Sequence, residues 1–363
     1  MGGASKMVAS NNFWRAVKPT IKDVASEAGV SLGTASRVIN NYSDVNPEMK
    51  QRVERAIAKL GYTPDAVAQG MRLRTTRTIG ILIRDFSAPA FVHFAAAAQS
   101  ILYREGYVPL LATYDDEPRR ELEIMRAFAG RRIDGLIITT STDKNETLSK
   151  ARKALGVPTV FLDRDADKEQ DTIAIDHRTG IQRALAYLFG LGHARVALVT
   201  GPLQVRPAKE RVAAYRKAHT AAGHRVDTAL IRAGSFSAEF ARQQTAELLA
   251  LPEPPTAILA GGVLMLPGVL RAIRAAGLRI PADISVISST NPEIAELITP
   301  TITELQVDFA AMGIEASKLI LGRLQGSITG PPRVLHFDTQ LIHRESCGAP
   351  PAADKGSKRK RAK

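Results

Sequence analysis

Between Ser31 and Asn40 the chain carries Ser31, Thr34, Ser36, Arg37 and Asn40, a concentration of hydroxyl, amide and guanidinium groups on one short stretch. Groups of this kind bind phosphate oxygens, and a guanidinium can also bind guanine O6 and N7 together. Such chemistry needs a helix open to solvent on one side. Ser31 is a helix cap, and Ala35, Val38 and Ile39 fall where they can pack inward, which leaves Leu32, Gly33, Ser36, Arg37 and Asn40 outward. The preceding helix is capped by Thr20 with Asp23 at the capping-box position, has Val24, Ala25 and Ala28 on its apolar face, and stops at Gly29. A third helix has Asn46 as cap, Pro47 at its first position, an apolar face of Val53, Ala56, Ile57 and Leu60, and Gly61 at its end. Two helices joined by a three-residue turn containing Gly, with a third as buttress, form a helix-turn-helix suited to reading DNA.

Charge agrees with that expectation. The net charge is +13, and it is concentrated at the ends: residues 1–75 hold 11 Lys and Arg against 6 Asp and Glu, and residues 346–363 hold 6 against 1. A basic head suits a phosphate backbone, because neutralised phosphates release counterions. Catalytic patterns are missing. The seven histidines are scattered without metal-ligand spacing, there is no Walker loop and no Gly-x-Gly-x-x-Gly after the first strand, and the run Gly29-Val30-Ser31-Leu32-Gly33 joins two helices and so is no strand-to-helix Gly-x-Ser-x-Gly elbow; no catalytic residue, metal site or cofactor is expected. One cysteine, Cys347, excludes an internal disulfide. The N-terminal stretch lacks a sustained apolar core and the uncharged run from Ala257 to Leu270 is too short to span a bilayer, so a cytoplasmic protein with no membrane partner is expected.

From Arg77 onward, short β-branched runs alternate with helix-length segments. Strands are expected at 78–83, 108–113, 134–139, 159–162, 172–175, 196–200, 257–260 and 285–287. Alternation of this kind means parallel sheet covered by helices on both faces. An α/β barrel would also alternate, but eight strands with a break near Asp176 suit two doubly wound halves better.

The runs Thr20-Ile21-Lys22-Asp23-Val24-Ala25, Ala28-Gly29-Val30-Ser31, Thr34-Ala35-Ser36-Arg37-Val38-Ile39-Asn40 and Leu60-Gly61-Tyr62-Thr63-Pro64 resemble the headpiece of the lactose-repressor (LacI/GalR) family of regulators. Leu162-Asp163-Arg164, Leu191-Gly192-His193, Thr200-Gly201-Pro202 and Pro281-Ala282-Asp283-Ile284-Ser285-Val286 extend the similarity through its periplasmic-binding-protein-like domain. The fold class is then α/β with a small all-α N-terminal domain. The resemblance implies a DNA-binding headpiece at 19–63, a hinge at 64–76, and a two-lobed effector-binding and dimerisation domain at 77–346 whose chain crosses between lobes three times. Residues 1–18 and 347–363 would be a disordered extension and a disordered basic tail. It further implies a homodimeric transcriptional regulator, a repressor of an inverted-repeat operator in double-stranded DNA, responsive to a small-molecule effector such as a sugar, sugar derivative or purine-like compound. A ligand-insensitive DNA-binding regulator and a solute-binding receptor are the alternatives.

By the same similarity, Leu32, Gly33 and Arg37 face base edges, Thr20, Ser31, Thr34, Ser36 and Asn40 contact phosphates, and Ala68 and Met71 of the hinge meet the minor groove, with Met71 as the wedge between base steps. In the effector cleft, Asp163, Arg211 and Phe236 match ligand-contacting positions and are expected to converge when the lobes close on a ligand. Two polar anchors are lost, because Gly262-Val263 stands in place of an Asn-Asp pair and Thr290 in place of an acid. Fewer buried acceptors favour a smaller, more apolar or anionic effector over an unmodified sugar.

Overall fold

In this computed structural model the described residues are 19–351 apart from 41, 43, 64–74, 166–168 and 290–291. The described chain divides into two units between Thr76 and Arg77. The expected hinge positions Ala68 and Met71, residue Thr290 and the N-terminal extension lie outside the described residues.

The first unit holds α1 (Ile21–Ala28), α2 (Leu32–Ile39) and α3 (Pro47–Leu60). Each begins where a cap can satisfy free backbone N–H groups: Ser31 accepts from the Thr34 N–H at 3.1 Å and Asn46 from the Glu48 N–H at 2.9 Å. α1 and α3 both end on a glycine in the left-handed region, Gly29 and Gly61, a conformation that costs a residue without Cβ little. Val24, Ala28, Val38, Val53 and Ala56 form the small core, with Ile57, Leu60 and Tyr62 packed on it. Two contacts tie α3 to the end of α1, a hydrogen bond from Arg52 to the Gly29 carbonyl at 3.0 Å and a 2.6 Å ion pair between Lys59 and Glu27.

The second unit carries two six-stranded sheets. The first runs β11-β5-β4-β3-β1-β2, from β1 (Thr78–Ile83), β2 (Val108–Thr113), β3 (Gly135–Ile138), β4 (Thr159–Leu162), β5 (Asp171–Ile175) and β11 (Val334–Phe337), all parallel. The second runs β12-β10-β9-β8-β6-β7, from β6 (Val196–Thr200), β7 (Ile231–Ala233), β8 (Ala257–Gly261), β9 (Ser285–Ser289), β10 (Thr303–Gln306) and β12 (Gln340–Ile342), parallel except for the β10–β12 pair. Central strands such as β3, β4 and β6 are buried throughout, as apolar strands covered on both faces must be. In the first lobe α4 (Pro89–Arg104) and α12 (Phe309–Leu324) cover one face of the sheet, and α5 (Pro118–Gly130) and α6 (Glu146–Leu155) the other. In the second, α7 (His177–Gly190) and α8 (Arg206–Ala221) lie on one face, and α9 (Ala238–Leu249), α10 (Leu266–Ala275) and the short α11 (Pro292–Ala295) on the other.

The chain crosses between lobes three times, after β5, after β10 and after β11. Asp176 and Asp308 end the first two crossings by capping α7 and α12, each accepting a backbone N–H two to three residues into the helix. The first and third crossings are bonded to each other, the Asp176 N–H to the Phe337 carbonyl at 2.9 Å and the Thr339 hydroxyl to the Asp176 carbonyl at 2.9 Å. The second unit also continues past the expected boundary at Ser346. Gly348 bonds to Ser285 of β9 through its N–H at 3.1 Å, and its carbonyl accepts from His193 at 2.8 Å, so the start of the expected tail is packed against the sheet.

α12 and α4 approach closely at Gly313, where an added Cβ would lie against the Phe94 carbonyl. Gly313→Ala should therefore destabilise the second unit by roughly 1–3 kcal/mol, because backbone has to move. Gly130, exposed at the end of α5 with open space around it, is the control, and Gly130→Ala should stabilise by about 0.5–1 kcal/mol. Thermal and denaturant melts of the two variants check both signs.

Candidate functional site

On the first unit, the outward face of α2 is as its sequence implies. Ala35 and Val38 are buried, Leu32, Gly33 and Arg37 are exposed, and Ile39, expected to pack inward, is only half-buried. Ser31 and Thr34 hydroxyls bond to each other at 2.9 Å, and the Asn40 amide donates to the Ser36 carbonyl, which holds the side chains of Ser31, Thr34 and Asn40 in place. Arg37 reaches Asp44 only at 4.0 Å with both side chains 64% exposed, a contact of little energetic weight. Its guanidinium is available to a partner. Thr20 donates its backbone N–H and its hydroxyl to Asp23 at 2.7 and 2.8 Å, and these two bonds hold the Asp23 carboxyl below its ordinary range.

The second unit gathers its polar residues at the carboxyl ends of strands, where open α/β sheets expose loops and helix N-termini. Arg84 follows β1, Thr139 follows β3, Asp163 and Arg164 follow β4, His177 follows β5, Phe236 lies after β7, and Gly262 and Val263 follow β8. Arg211 projects from the second turn of α8. Together with Phe91, Leu162, Ile175, Pro207 and Phe309 they line a narrow cavity of about 60 Å³ between the lobes. Sites for drug-sized ligands run to ~300–1,000 Å³, so this arrangement of the lobes suits a small occupant. Asp163, Arg211 and Phe236, expected to converge, do share this cavity.

Asp163 is the hub. Its backbone adopts a left-handed φ of 53°, a sparsely populated conformation that Asp tolerates better than most residues. One carboxylate oxygen accepts from Arg206 at 2.6 Å and from the Ile175 N–H at 3.3 Å, and the other meets His177 Nε2 at 2.7 Å. Burial alone would raise its pKa, but His177, Arg206 and Arg164 outweigh burial and hold the carboxyl far below the usual range. His177 moves the other way for a base: burial, reinforced by Arg211, pushes it down to about 4 despite the neighbouring carboxylate. At neutral pH it is the neutral tautomer that donates Nε2–H to Asp163. Arg164 is held by its own bonds to the Thr140 and Asp163 carbonyls at 2.7 and 2.9 Å.

Phe236 sits over two glycines, since an added Cβ on Gly262 would come within 2.8 Å of its ring and one on Gly201 would overlap it. The guanidiniums of Arg84 and Arg211 lie 5.5 and 5.9 Å from the ring centroid, within cation–π range. Arg84, His177 and Arg206 were not singled out from sequence. A signal was present for two of them, since Arg84 stands directly beyond the apolar strand Thr78–Ile83 and His177 just beyond Asp171–Ile175, at strand ends where polar residues face a cleft.

Residues 20–65 match the model of bacterial regulatory proteins, lacI family, and residues 185–347 that of a periplasmic binding protein-like domain. The chain is 30% identical over 328 residues to the HTH-type transcriptional repressor PurR of Vibrio atlanticus, covering 90% of this chain and 98% of that protein. It is 31% identical over 337 residues to the HTH-type transcriptional regulator CelR of Thermobifida fusca, covering 91% and 98%. Among solved structures, the lac repressor dimer bound to operator and the anti-inducer ONPF superposes with a TM-score of 0.78 at 29% identity, over 91% of this chain and 99% of that one.

The state of His177 has a measurable consequence. An unfolded chain takes up a proton on this residue below pH ~6.5, the folded chain only below about 4, so between those values the unfolded state binds more protons and stability falls with falling pH. The loss should amount to roughly 3 kcal/mol over that window. His177→Gln keeps an N–H for Asp163 and cannot titrate, so its stability should be nearly flat from pH 6.5 to 4 in this component. Denaturant melts of wild type and variant across that range measure the difference, and parallel curves would place the titration elsewhere.

Proposed function

The chain belongs to the lacI family of bacterial regulatory proteins, and on that premise we propose that it is a sequence-specific DNA-binding transcriptional regulator, a repressor that binds an inverted-repeat operator as a homodimer and answers to a small-molecule effector. The observation that carries this reading is the combination, on one chain, of a capped helix with an exposed hydroxyl and guanidinium face and a two-lobed unit whose strand ends build a cleft between the lobes with Asp163 and Arg211 in its wall. Relatives supply the precedent: one solved homologue is a CelR–cellobiose complex, and another holds operator DNA. Leu32, Gly33 and Arg37 read bases, and Thr20, Ser31, Thr34, Ser36 and Asn40 set register on the phosphates. Ala68 and Met71 meet the minor groove through the segment 64–76.

Members of this family are transcriptional regulators rather than enzymes, and the seat of action is the cytoplasm, where DNA and effector meet. Among the described residues no helix is long and apolar enough to cross a membrane. Control works by linkage. An effector that binds one arrangement of the lobes better than another shifts the population of dimers competent for DNA, by no more than its differential affinity allows. Asp163, Arg211 and Phe236 are the effector contacts, together with Thr290 at the position where relatives carry an acid.

Selection of the operator from randomised inverted repeats, followed by gel shifts on the selected site and on a scrambled one, tests the reading. Arg37→Ala should weaken specific binding by ~1–3 kcal/mol and leave nonspecific binding largely in place, the mark of a lost guanine contact. An equal loss on both DNAs would make Arg37 a phosphate clamp, and failure to select any inverted repeat would remove the proposed function.

A further inference from the structure

The cleft contains a buried cation with no anion to match it. Arg211 is 8% exposed, makes no ion pair among the described residues, and has its Nη1 without a hydrogen-bond partner. The carboxylates that could have met it are engaged elsewhere: Asp163 by Arg206 and His177, and Glu210 by Arg206 at 3.0 Å and Arg178 at 3.4 Å. Burial pushes the Arg211 pKa down to about 10 against the opposing pull of the nearby Asp163 carboxylate, which leaves it charged at neutral pH.

A second guanidinium faces the same space from the other lobe. Arg84, 4% exposed, bonds Asp85 at 2.8 Å and lies 3.6 Å from Asp116, but its Nη2 also has no partner. Both guanidiniums lie within cation–π distance of the Phe236 ring, and the remaining walls are mostly apolar. A neutral polyol brings hydroxyl donors that need acceptors. Asp163 is the carboxylate on the cavity wall, it is fully engaged, and Gly262 and Val263 offer no side-chain acceptor. An oxyanion brings the acceptors that Arg211 and Arg84 lack.

We infer that the effector is a compact organic acid, its carboxylate or phosphate bridging Arg211 of the second lobe and Arg84 of the first, its largely apolar body against Phe236. The inference rests on the reading of the cleft as an effector site and names the chemistry of the ligand. Contact with both lobes gives such a ligand a means of favouring one arrangement of them, since an interaction present in only one arrangement shifts the equilibrium.

The test uses the full chain and matched pairs of probes, benzoate against benzamide, isobutyrate against isobutyramide, and phenyl phosphate against benzyl alcohol, with glucose and adenine alongside. At millimolar concentration at least one acid should raise the melting temperature by several degrees while its neutral counterpart does not, and the carboxylate and phosphate arms distinguish the two oxyanions. Arg211→Met should melt higher than wild type without any probe, because a buried unpaired charge is removed, and should bind the acid roughly 10- to 100-fold more weakly by calorimetry. Arg84→Met is the second variant, with loss of binding in the same range, and stands in if Arg211→Met does not fold. Neutral probes that bind as tightly as acids, acids that bind both variants undiminished, or a panel in which no acid binds would each overturn the inference. Operator gel shifts separate the two levels: glucose or adenine altering operator affinity while acids do not leaves the effector role intact and the anionic ligand wrong. Operator binding that is intact and indifferent to every probe removes the effector role with it.

Discussion

The carboxylate of Asp163 is the constraint around which the second unit is organised. It is buried, ionised and held by groups from two other elements, Arg206 at the start of α8 and His177 at the start of α7, both in the lobe opposite to its own. A buried charge pair adds little net stability over apolar packing, yet losing one partner leaves the other stranded at a cost of ~3–5 kcal/mol. The lobes are thereby set against each other in one register. A second cross-lobe pair, Lys209 with the buried Asp143 at 3.1 Å, lies beside the first and acts in the same direction.

Satisfying Asp163 in this way decides the character of the cleft. Four arginines, Arg84, Arg164, Arg206 and Arg211, lie in or next to it, and its acids are consumed by internal pairs. Arg164 spends its bonds on carbonyls and Arg206 on Asp163 and Glu210, so positive charge without a partner is left on Arg211. The ring of Phe236 compensates only partly, since a cation–π contact is worth ~0.5–2 kcal/mol, less than the several kcal/mol of burying an ion. Phe236 can take this position because Gly201 and Gly262 leave the room beneath it.

Much of this was legible from residue types. Caps and stops placed α1, α2 and α3, because Ser31, Asn46, Pro47, Gly29 and Gly61 each do one local job that tertiary context does not override. All eight expected strands are present. The four that were missed, β7, β10, β11 and β12, are three or four residues long, and β7, β11 and β12 are sheet edges that remain partly exposed and lack a long apolar run. Likewise Asp163, Arg211 and Phe236 were found by resemblance. The partners of Asp163 were not, because Arg206 and His177 lie 43 and 14 residues away in the chain and nothing local to either announces the pairing. Only the crossover topology brings them together.

The same topology limits which contacts can carry a signal. Groups that are bonded within one lobe, such as Arg164 to the Thr140 carbonyl, are unchanged by any rearrangement of the lobes and cannot distinguish one arrangement from another. Groups that span the cleft can. Asp163 with Arg206 and Asp143 with Lys209 already span it, so they bias the lobes toward this arrangement whatever else is bound. A ligand adds to that bias only through atoms that meet both lobes at once, and each tenfold difference in affinity between arrangements contributes about 1.4 kcal/mol. Arg84 follows β1 of the first lobe and Arg211 stands on α8 of the second, both with an N–H to spare, which makes them the pair best placed to turn occupancy of the cleft into a preference between arrangements.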